Sequence, residues 1–297
     1  MHYVLDHWSF DPFLIVVLVL VAWHERGLAR LARRSRPDRT RQRRARSLKF
    51  YGGLAVLLLA VESPIDYWAD AYFFVHMVQH LLLMFAAPAL VVAGAPWQPL
   101  LDALPGRTGR TATREVLTGD WARPLRTLSG FLLRPWVSII AFNAVMIGWH
   151  VPVLFDLAAR NQGVHIWLMH GSFFAAGLLF WLQFIPSAPV RLTMTPAAQA
   201  VALLATNVVM WILAMALGIL TSTSWYPAYD HVPGVTLPAL ADQQIGAGIL
   251  WVCGDFWAVP AMIFVIRRLI AEEGSVGTAL DRVLGRGSAR YHWADRG

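Results

Sequence analysis

The chain has 297 residues, of which 57% are hydrophobic and only 14% carry charge. A soluble domain has about a quarter of its residues charged, so this composition excludes an ordinary soluble protein and predicts a polytopic membrane protein. The net charge of +7 needs no nucleic-acid partner, because basic residues collect beside membrane spans on the cytoplasmic side.

Seven apolar segments approach the length of about 20 helical residues that crosses a bilayer. The first two have short apolar centres, and basic side chains at their ends would extend them by reaching toward the interface. We therefore predict an all-α fold, a membrane helix bundle of seven spans over residues 1–270, followed by a tail over residues 271–297. The predicted spans are Trp8–Arg26, Ser47–Ile65, Tyr72–Ala95, Pro135–Val153, Val164–Ile185, Ala197–Leu220 and Gln243–Ile266.

The basic residues predict how these spans are oriented. Segment 26–49 holds 11 of the 25 Lys and Arg residues, segment 96–134 holds six, and the tail from Arg267 holds six more. Arg191 lies on the same predicted face, whereas Arg160 is the one basic residue on the other. Because cytoplasmic loops collect Lys and Arg, we expect the N-terminus outside and the C-terminus in the cytoplasm. The expected location is the plasma membrane, with lipids around the bundle.

Two cytoplasmic loops follow from this arrangement, a basic loop at 27–48 and a longer one at 97–134. Within the second, Leu125, Leu128 and Leu132 recur at helical spacing beside Arg123 and Arg126. An apolar stripe next to basic residues is typical of a helix that lies in the membrane interface. We predict a short surface helix there.

Five histidines fall in the predicted outer halves of three spans. His76 and His80 are one helical turn apart, and residues at that spacing have Cβ atoms about 5–6 Å apart, which lets both rings bind one metal. His150 closes the fourth span, and His165 and His170 open the fifth. Ionisable side chains are costly inside a bilayer, so their convergence predicts a metal or haem site. The competing interpretation is a set of hydrogen-bonded boundary residues.

His165 and His170 are five residues apart, a spacing that puts them on different faces of an ideal α-helix. Either His165 precedes the regular helix, or only one of the two enters the site. We favour His170, which is deeper in the span.

Methionines accompany these histidines, although methionine is also a frequent apolar filler. Thioether together with imidazole suits copper(I), whereas imidazoles alone suit zinc or copper(II). The pairs that are four residues apart are His80 with Met84, His150 with Met146, and His165 with Met169.

Carboxylates also gather on the predicted outer side. A carboxylate that accepts the second N–H of a ligating histidine fixes the orientation of its ring. The candidates for this role are Asp66, Asp156 and Asp242, together with the neighbouring amide of Gln243, whereas we expect Asp70 to be a solvated loop acid.

Asp255 lies past the middle of the seventh span, two residues after Cys253. An acid at this depth is costly unless it is paired or protonated. It either relays protons, or joins Cys253 as a second ligand, or accepts a hydrogen bond from a neighbour such as Asn143 or Asn207. We favour the hydrogen bond.

Several short motifs stand in a specific order at the outer ends of the spans. They are Ser63-Pro64-Ile65-Asp66, His76-Met77-Val78-Gln79-His80, Trp149-His150-Val151-Pro152, and Ala241-Asp242-Gln243-Gln244-Ile245-Gly246. In this order the chain resembles the CtaG family of seven-span cytochrome c oxidase assembly proteins. The resemblance implies a role in maturing haem-copper oxidase, with an oxidase subunit as partner, by delivering or handling copper for its catalytic site.

Our leading hypothesis is an assembly factor, rather than an enzyme, that holds copper near the outer leaflet. The candidate ligands are His76, His80, His150 and His170, with His165 and Met84 in reserve. One alternative is a haem b protein for electron transfer, because histidines that face each other from two spans can supply both axial ligands. Another is a copper transporter, which requires a polar path, yet the inner halves offer only Asn143, Gln183, Asn207 and Asp255.

Overall fold

The structure is a computed structural model, and it describes residues 7–9, 12–104, 111, 114–115, 118–273 and 277. Within these residues the chain forms helices and no β-strand. The predicted tail over 271–297 falls outside the described residues, apart from 271–273 and 277. The helices are α1 (Pro12–Ala32), α2 (Pro37–Glu62), α3 (Pro64–Ala71), α4 (Phe73–Leu81), α5 (Ala87–Gly94), α6 (Trp97–Asp102), α7 (Arg123–Leu132), α8 (Pro135–His150), α9 (Pro152–Arg160), α10 (Gly171–Trp181), α11 (Pro196–Gly218) and α12 (Ala239–Glu273).

Four helical segments among the described residues are long and apolar enough to cross a membrane. They correspond to the predicted third, fifth, sixth and seventh spans: Phe73–Gly94, Val164–Trp181, Pro196–Gly218 and Ala239–Glu272. Two bent pairs raise the number to six, α2 with α3 at 43° and Asp120–Leu132 with α8 at 79°. The chain is therefore an all-helical, multi-pass membrane protein with four to six candidate spans in its described part.

Prolines set the bends between neighbouring helices. α2 ends at Glu62, the backbone of Ser63 is extended, and Pro64 opens α3. A residue before proline disfavours the helical conformation, whereas proline itself suits the first position of a helix. The side chain of Ser63 also accepts a hydrogen bond from the amide of Ile65 at 3.2 Å. The straight helix thus ends three residues before the predicted end of the second span.

The basic segment 27–48 is largely helical rather than a loop. α1 continues to Ala32 and α2 begins at Pro37, so that only residues 33–36 lie between the helices. The side chain of Arg43 reaches back across this turn and donates to Ser35 Oγ at 2.6 Å. Charged helix ends can continue past the apolar centre of a span because their side chains remain in water or reach the lipid headgroups.

Helix α7 corresponds to the predicted surface helix, and none of its residues is buried. Leu125 and Leu128 are 57% and 55% exposed. Together with the 79° bend into α8, this leaves an apolar stripe outside the core of the bundle.

Two π-helical segments interrupt the regular helices, Leu82–Ala86 between α4 and α5, and Val164–His170 before α10. Such segments are rare, and they often occur at functional sites. A Cβ atom at Gly177 would lie 2.5 Å from the carbonyl oxygen of Met84, so glycine is required for α10 to pack against the first of them. The first π-helical segment thereby packs against α10, the helix that continues from the second.

Candidate metal centre

The five histidines converge at one end of the bundle. The side chains of His76, His80, His150 and His170 are 2–5% exposed, and His165 is half-buried. Their rings form a continuous cluster. The distances between ring centroids are 4.2 Å for His76 and His80, 5.1 Å for His76 and His165, 4.3 Å for His165 and His170, 5.9 Å for His80 and His150, and 6.5 Å for His80 and His170.

The π-helical segment Val164–His170 bears on the two alternatives that the sequence left open, that His165 precedes the regular helix or that only one of the two histidines enters the cluster. In a π-helix the hydrogen bonds run between residues five apart, so residues at that spacing lie on one face. The rings of His165 and His170 are accordingly neighbours. The regular helix α10 begins after both of them, at Gly171, so the first alternative describes the position of His165. Our preference for His170 alone assumed a regular α-helical period up to that point.

The hydroxyl of Tyr229 fixes the tautomer of His76. This hydroxyl lies 2.9 Å from the carbonyl oxygen of Ala69 and 3.0 Å from Nδ1 of His76. Because a carbonyl only accepts, Tyr229 donates to Ala69 and accepts from the Nδ1–H of His76. Burial raises the pKa of the Tyr229 hydroxyl well above its ordinary value, so it stays protonated. Nε2 of His76 is then the unprotonated nitrogen, as a metal ligand requires.

His150 has the same tautomer for a different reason. Its Nδ1 lies 2.6 Å from the carbonyl oxygen of Met146, which can only accept a hydrogen bond. Nδ1 therefore carries the proton, and Nε2 presents its lone pair 3.2 Å from the sulfur of Met77. The carbonyl oxygen of His150 in turn accepts from the hydroxyl of Tyr226 at 2.9 Å.

Six ring nitrogens of this cluster are buried without a hydrogen-bond partner. Leaving a buried polar group unpaired costs about 1–3 kcal/mol, so a cluster of this kind is expected to bind something that satisfies it. Within the described part of the chain, no three His, Cys, Asp or Glu residues are arranged to hold an ion as they stand, so binding requires the rings to turn. The unpaired atoms are Nε2 of His76 and His165, and both ring nitrogens of His80 and His170.

A small cavity lies beside the histidines, with a volume of about 10 Å³. This is room for about one water-sized sphere. Two imidazoles and three thioethers are among its lining groups, from His80, His150, Met77, Met84 and Met146. Met77 is not among the predicted site residues, although its position three residues before His80 is also a same-face spacing on a helix.

The comparison with known proteins decides the family. The profile described as cytochrome c oxidase caa3 assembly factor (Caa3_CtaG) matches residues 22–272 of this chain. The chain belongs to the CtaG family. This confirms the resemblance seen in its motifs, and the matched range contains all five clustered histidines.

Proteins similar to this CtaG-family chain occur in mycobacteria. An uncharacterized protein of Mycobacterium bovis is 26% identical over 283 residues, which are 94% of this chain and 42% of that protein. An uncharacterized protein of Mycobacterium leprae is 25% identical over 283 residues, 93% of this chain and 41% of that protein. The chain thus spans less than half the length of these relatives. No solved structure matches it.

The carboxylates predicted to orient the histidines bind other groups in this CtaG-family fold. Asp242 accepts from the backbone amides of Phe73 and Phe74 at 2.7 and 2.9 Å, at the first turn of α4. Asp66 accepts from the side chain of Gln79 at 2.6 Å. Asp156 faces Arg160 across 3.9 Å. The ring nitrogens of the cluster contact Tyr229, the backbone of Met146 and the sulfur of Met77.

Gln243 ties the chain between α11 and α12 to the bundle. Its amide nitrogen donates to the carbonyl oxygen of Leu217 and its oxygen accepts from the backbone amide of Trp225, both at 2.7 Å. Asp242 and Gln243 thereby hold the ends of α4 and α11, the helices around the cluster. These contacts give the family motif a structural role.

Asp255 has the hydrogen-bonded environment that we favoured. Its Oδ1 accepts from Asn207 at 2.9 Å and from the indole of Trp211 at 3.0 Å. Cys253 is a free cysteine that is half-buried on the same helix. Two donors on one carboxylate oxygen account for an acid within an apolar span.

Proposed function

We propose that this chain is a cytochrome c oxidase assembly factor of the plasma membrane that holds copper at the histidine and methionine cluster for insertion into the oxidase. Copper is the cargo, and an oxidase subunit is the partner that receives it. The family description supports the assembly role. The cluster of histidine and methionine side chains supports copper as the cargo.

One observation carries the copper proposal: the six unpaired ring nitrogens on four clustered histidines. Imidazole nitrogens with thioether sulfurs nearby are ligands that copper accepts in either oxidation state. His76 and His150 already hold the tautomer that presents Nε2. His80, His165 and His170 have ring nitrogens that can turn toward a common ion.

The size of the cavity favours an ion over a haem. Its volume of about 10 Å³ is far below the roughly 300–1,000 Å³ of pockets for organic ligands. Zinc remains a competitor for a site of imidazoles alone, but the thioethers beside the rings are soft ligands, which favour copper(I).

The proposal includes seven spans with the histidine cluster toward the outer leaflet. α1, with 21 residues, supplies the first span, and the bent pairs supply the second and fourth. With seven spans, the turn at 33–36 connects the first two spans and the segment 97–134 connects the third and fourth. Both connections then lie on the same side of the membrane. The basic residues are then cytoplasmic.

The test is complementation of a strain that lacks the gene. We expect the variant His76→Ala/His80→Ala to reach the membrane at wild-type level, to lose bound copper, and to leave the oxidase without activity. His231→Ala is the matched control, because His231 is an exposed loop histidine. Wild-type copper content and oxidase activity in the double variant would overturn the proposal.

A further inference from the structure

We infer that the cavity lined by Met77, Met84 and Met146, with His80 and His150, is a separate copper(I) subsite, distinct from the imidazole group of His76, His165 and His170. This inference rests on the proposed copper role and assigns an oxidation state and a ligand set to part of the cluster. For brevity, we call it the thioether subsite.

The contact between His150 and Met77 points to a cation. Nε2 of His150 lies 3.2 Å from the sulfur of Met77, and both atoms present lone pairs because the ring proton is on Nδ1. Moving the proton to Nε2 would set two acceptors 2.6 Å apart at the carbonyl oxygen of Met146. A second proton on the ring would make a buried cation with no carboxylate partner among the described residues, which is costly.

A bound metal satisfies both lone pairs at once. Metal bonds of about 2.0 Å to nitrogen and about 2.3 Å to sulfur hold two donors of one tetrahedral ion about 3.5 Å apart. The observed separation of 3.2 Å requires only a small movement to reach this value. The sulfur and the imidazole are therefore close to the spacing of a ligand pair.

The composition of the cavity selects the ion. Thioethers are soft and uncharged, and they favour copper(I) over zinc and copper(II). The lining residues carry no carboxylate, so a monovalent ion leaves less buried charge than a divalent one. The cavity has room for one such ion.

His80 connects the two groups. Its ring lies 4.2 Å from that of His76 and 5.9 Å from that of His150, and it lines the cavity. Both of its nitrogens are buried and unpaired. His80 can therefore ligate copper in the thioether subsite or in the imidazole group, one nitrogen at a time.

X-ray absorption on the full chain in detergent, loaded anaerobically with one equivalent of copper(I), tests this assignment. We expect sulfur neighbours at about 2.3 Å together with nitrogen neighbours. The variant Met77→Leu/Met146→Leu keeps only Met84, so it should lose most of the sulfur signal and bind copper(I) at least tenfold more weakly. Met262→Leu is the matched control, in the part of α12 away from the cluster. Leucine nearly conserves the volume of methionine, so these substitutions disturb the packing little. Met77→Leu alone is a second variant that changes the packing less.

The outcomes separate the two proposals. Loss of most sulfur neighbours in the double variant, but not in Met262→Leu, supports the thioether subsite. Copper bound by nitrogen alone in the wild-type protein would overturn this inference and leave the proposed function standing. Copper that binds nowhere in the wild-type protein would overturn both.

Discussion

The imidazole rings of His165 and His170 lie 4.3 Å apart although the residues are five positions apart in the chain. The π-helical segment that contains them explains this, since its wider turn places both rings on one face. We predict that His165→Ala and His170→Ala each weaken the binding of copper to the imidazole group by at least about tenfold, the lower limit for loss of a group that merely orients a metal ligand. Competition with a chelator of known affinity measures this.

His231→Ala should leave the affinity unchanged, because this histidine is exposed in a loop. In a regular α-helix the two rings would lie on different faces, so His165→Ala and His170→Ala would have unequal effects on copper affinity. Full affinity in His165→Ala, with loss in His170→Ala alone, would contradict the role that we give to the π-helical segment.

Tyr229→Phe tests whether the tautomer of His76 matters. The variant removes the hydroxyl that accepts from Nδ1 of His76 and donates to Ala69, while the ring remains. We predict a loss of copper affinity of about 10–100-fold, as for other groups that orient a metal ligand. The same competition measurement applies, with copper content per chain as a second readout.

Tyr226→Phe is the matched control for this variant. Its hydroxyl donates to the backbone of His150 and touches no ring nitrogen of that residue. We expect it to lower the free energy of unfolding by about 0.5–1.5 kcal/mol with a smaller effect on copper. Equal losses of affinity in both variants would mean that the tyrosines act through stability rather than through the tautomer.

The sequence was sufficient to predict the positions of most of the long apolar helices in the bundle. Apolar length predicted the third, fifth, sixth and seventh spans, with ends within about six residues of Phe73–Gly94, Val164–Trp181, Pro196–Gly218 and Ala239–Glu272. The helix breaks at Ser63 and Val151 follow from the prolines that come next in the chain, because a residue before proline disfavours the helical conformation. The histidine cluster was predictable because ionisable residues recur at one depth.

The regular helical period does not predict which histidines of the cluster share a face or which groups contact them. A π-helical segment changes which residues share a face, so the relation between His165 and His170 could not follow from their spacing. Tyr226 and Tyr229 lie in a connection whose path over the cluster is set by tertiary packing. Asp242 resembles an orienting carboxylate in sequence, yet it binds backbone amides of a distant helix.

Asp242→Ala tests that structural role. The variant leaves the amides of Phe73 and Phe74 at the start of α4 without their acceptor and removes a negative charge from a helix N-terminus, where it is favourable. We predict a loss of about 0.5–2 kcal/mol, as for other caps, in the free energy of unfolding in detergent. Copper content should stay unchanged. Asp230→Ala, at an exposed loop position, is the control. Loss of copper without loss of stability would favour the predicted orienting role instead.

The proposed orientation is tested with two matched substitutions in a Cys253→Ser background. The substitutions are Gln42→Cys, near the basic start of α2, and Gln162→Cys, in the segment before the fifth span. Both positions are exposed. Three proposed crossings separate them, so they should lie on opposite sides of the membrane. Because the basic side is cytoplasmic, a membrane-impermeant maleimide should label Gln162→Cys in intact cells and Gln42→Cys only after permeabilisation. Labelling of both variants in intact cells would contradict the three crossings. Labelling of Gln42→Cys alone would mean that the bundle has the opposite orientation, with the histidine cluster on the cytoplasmic side.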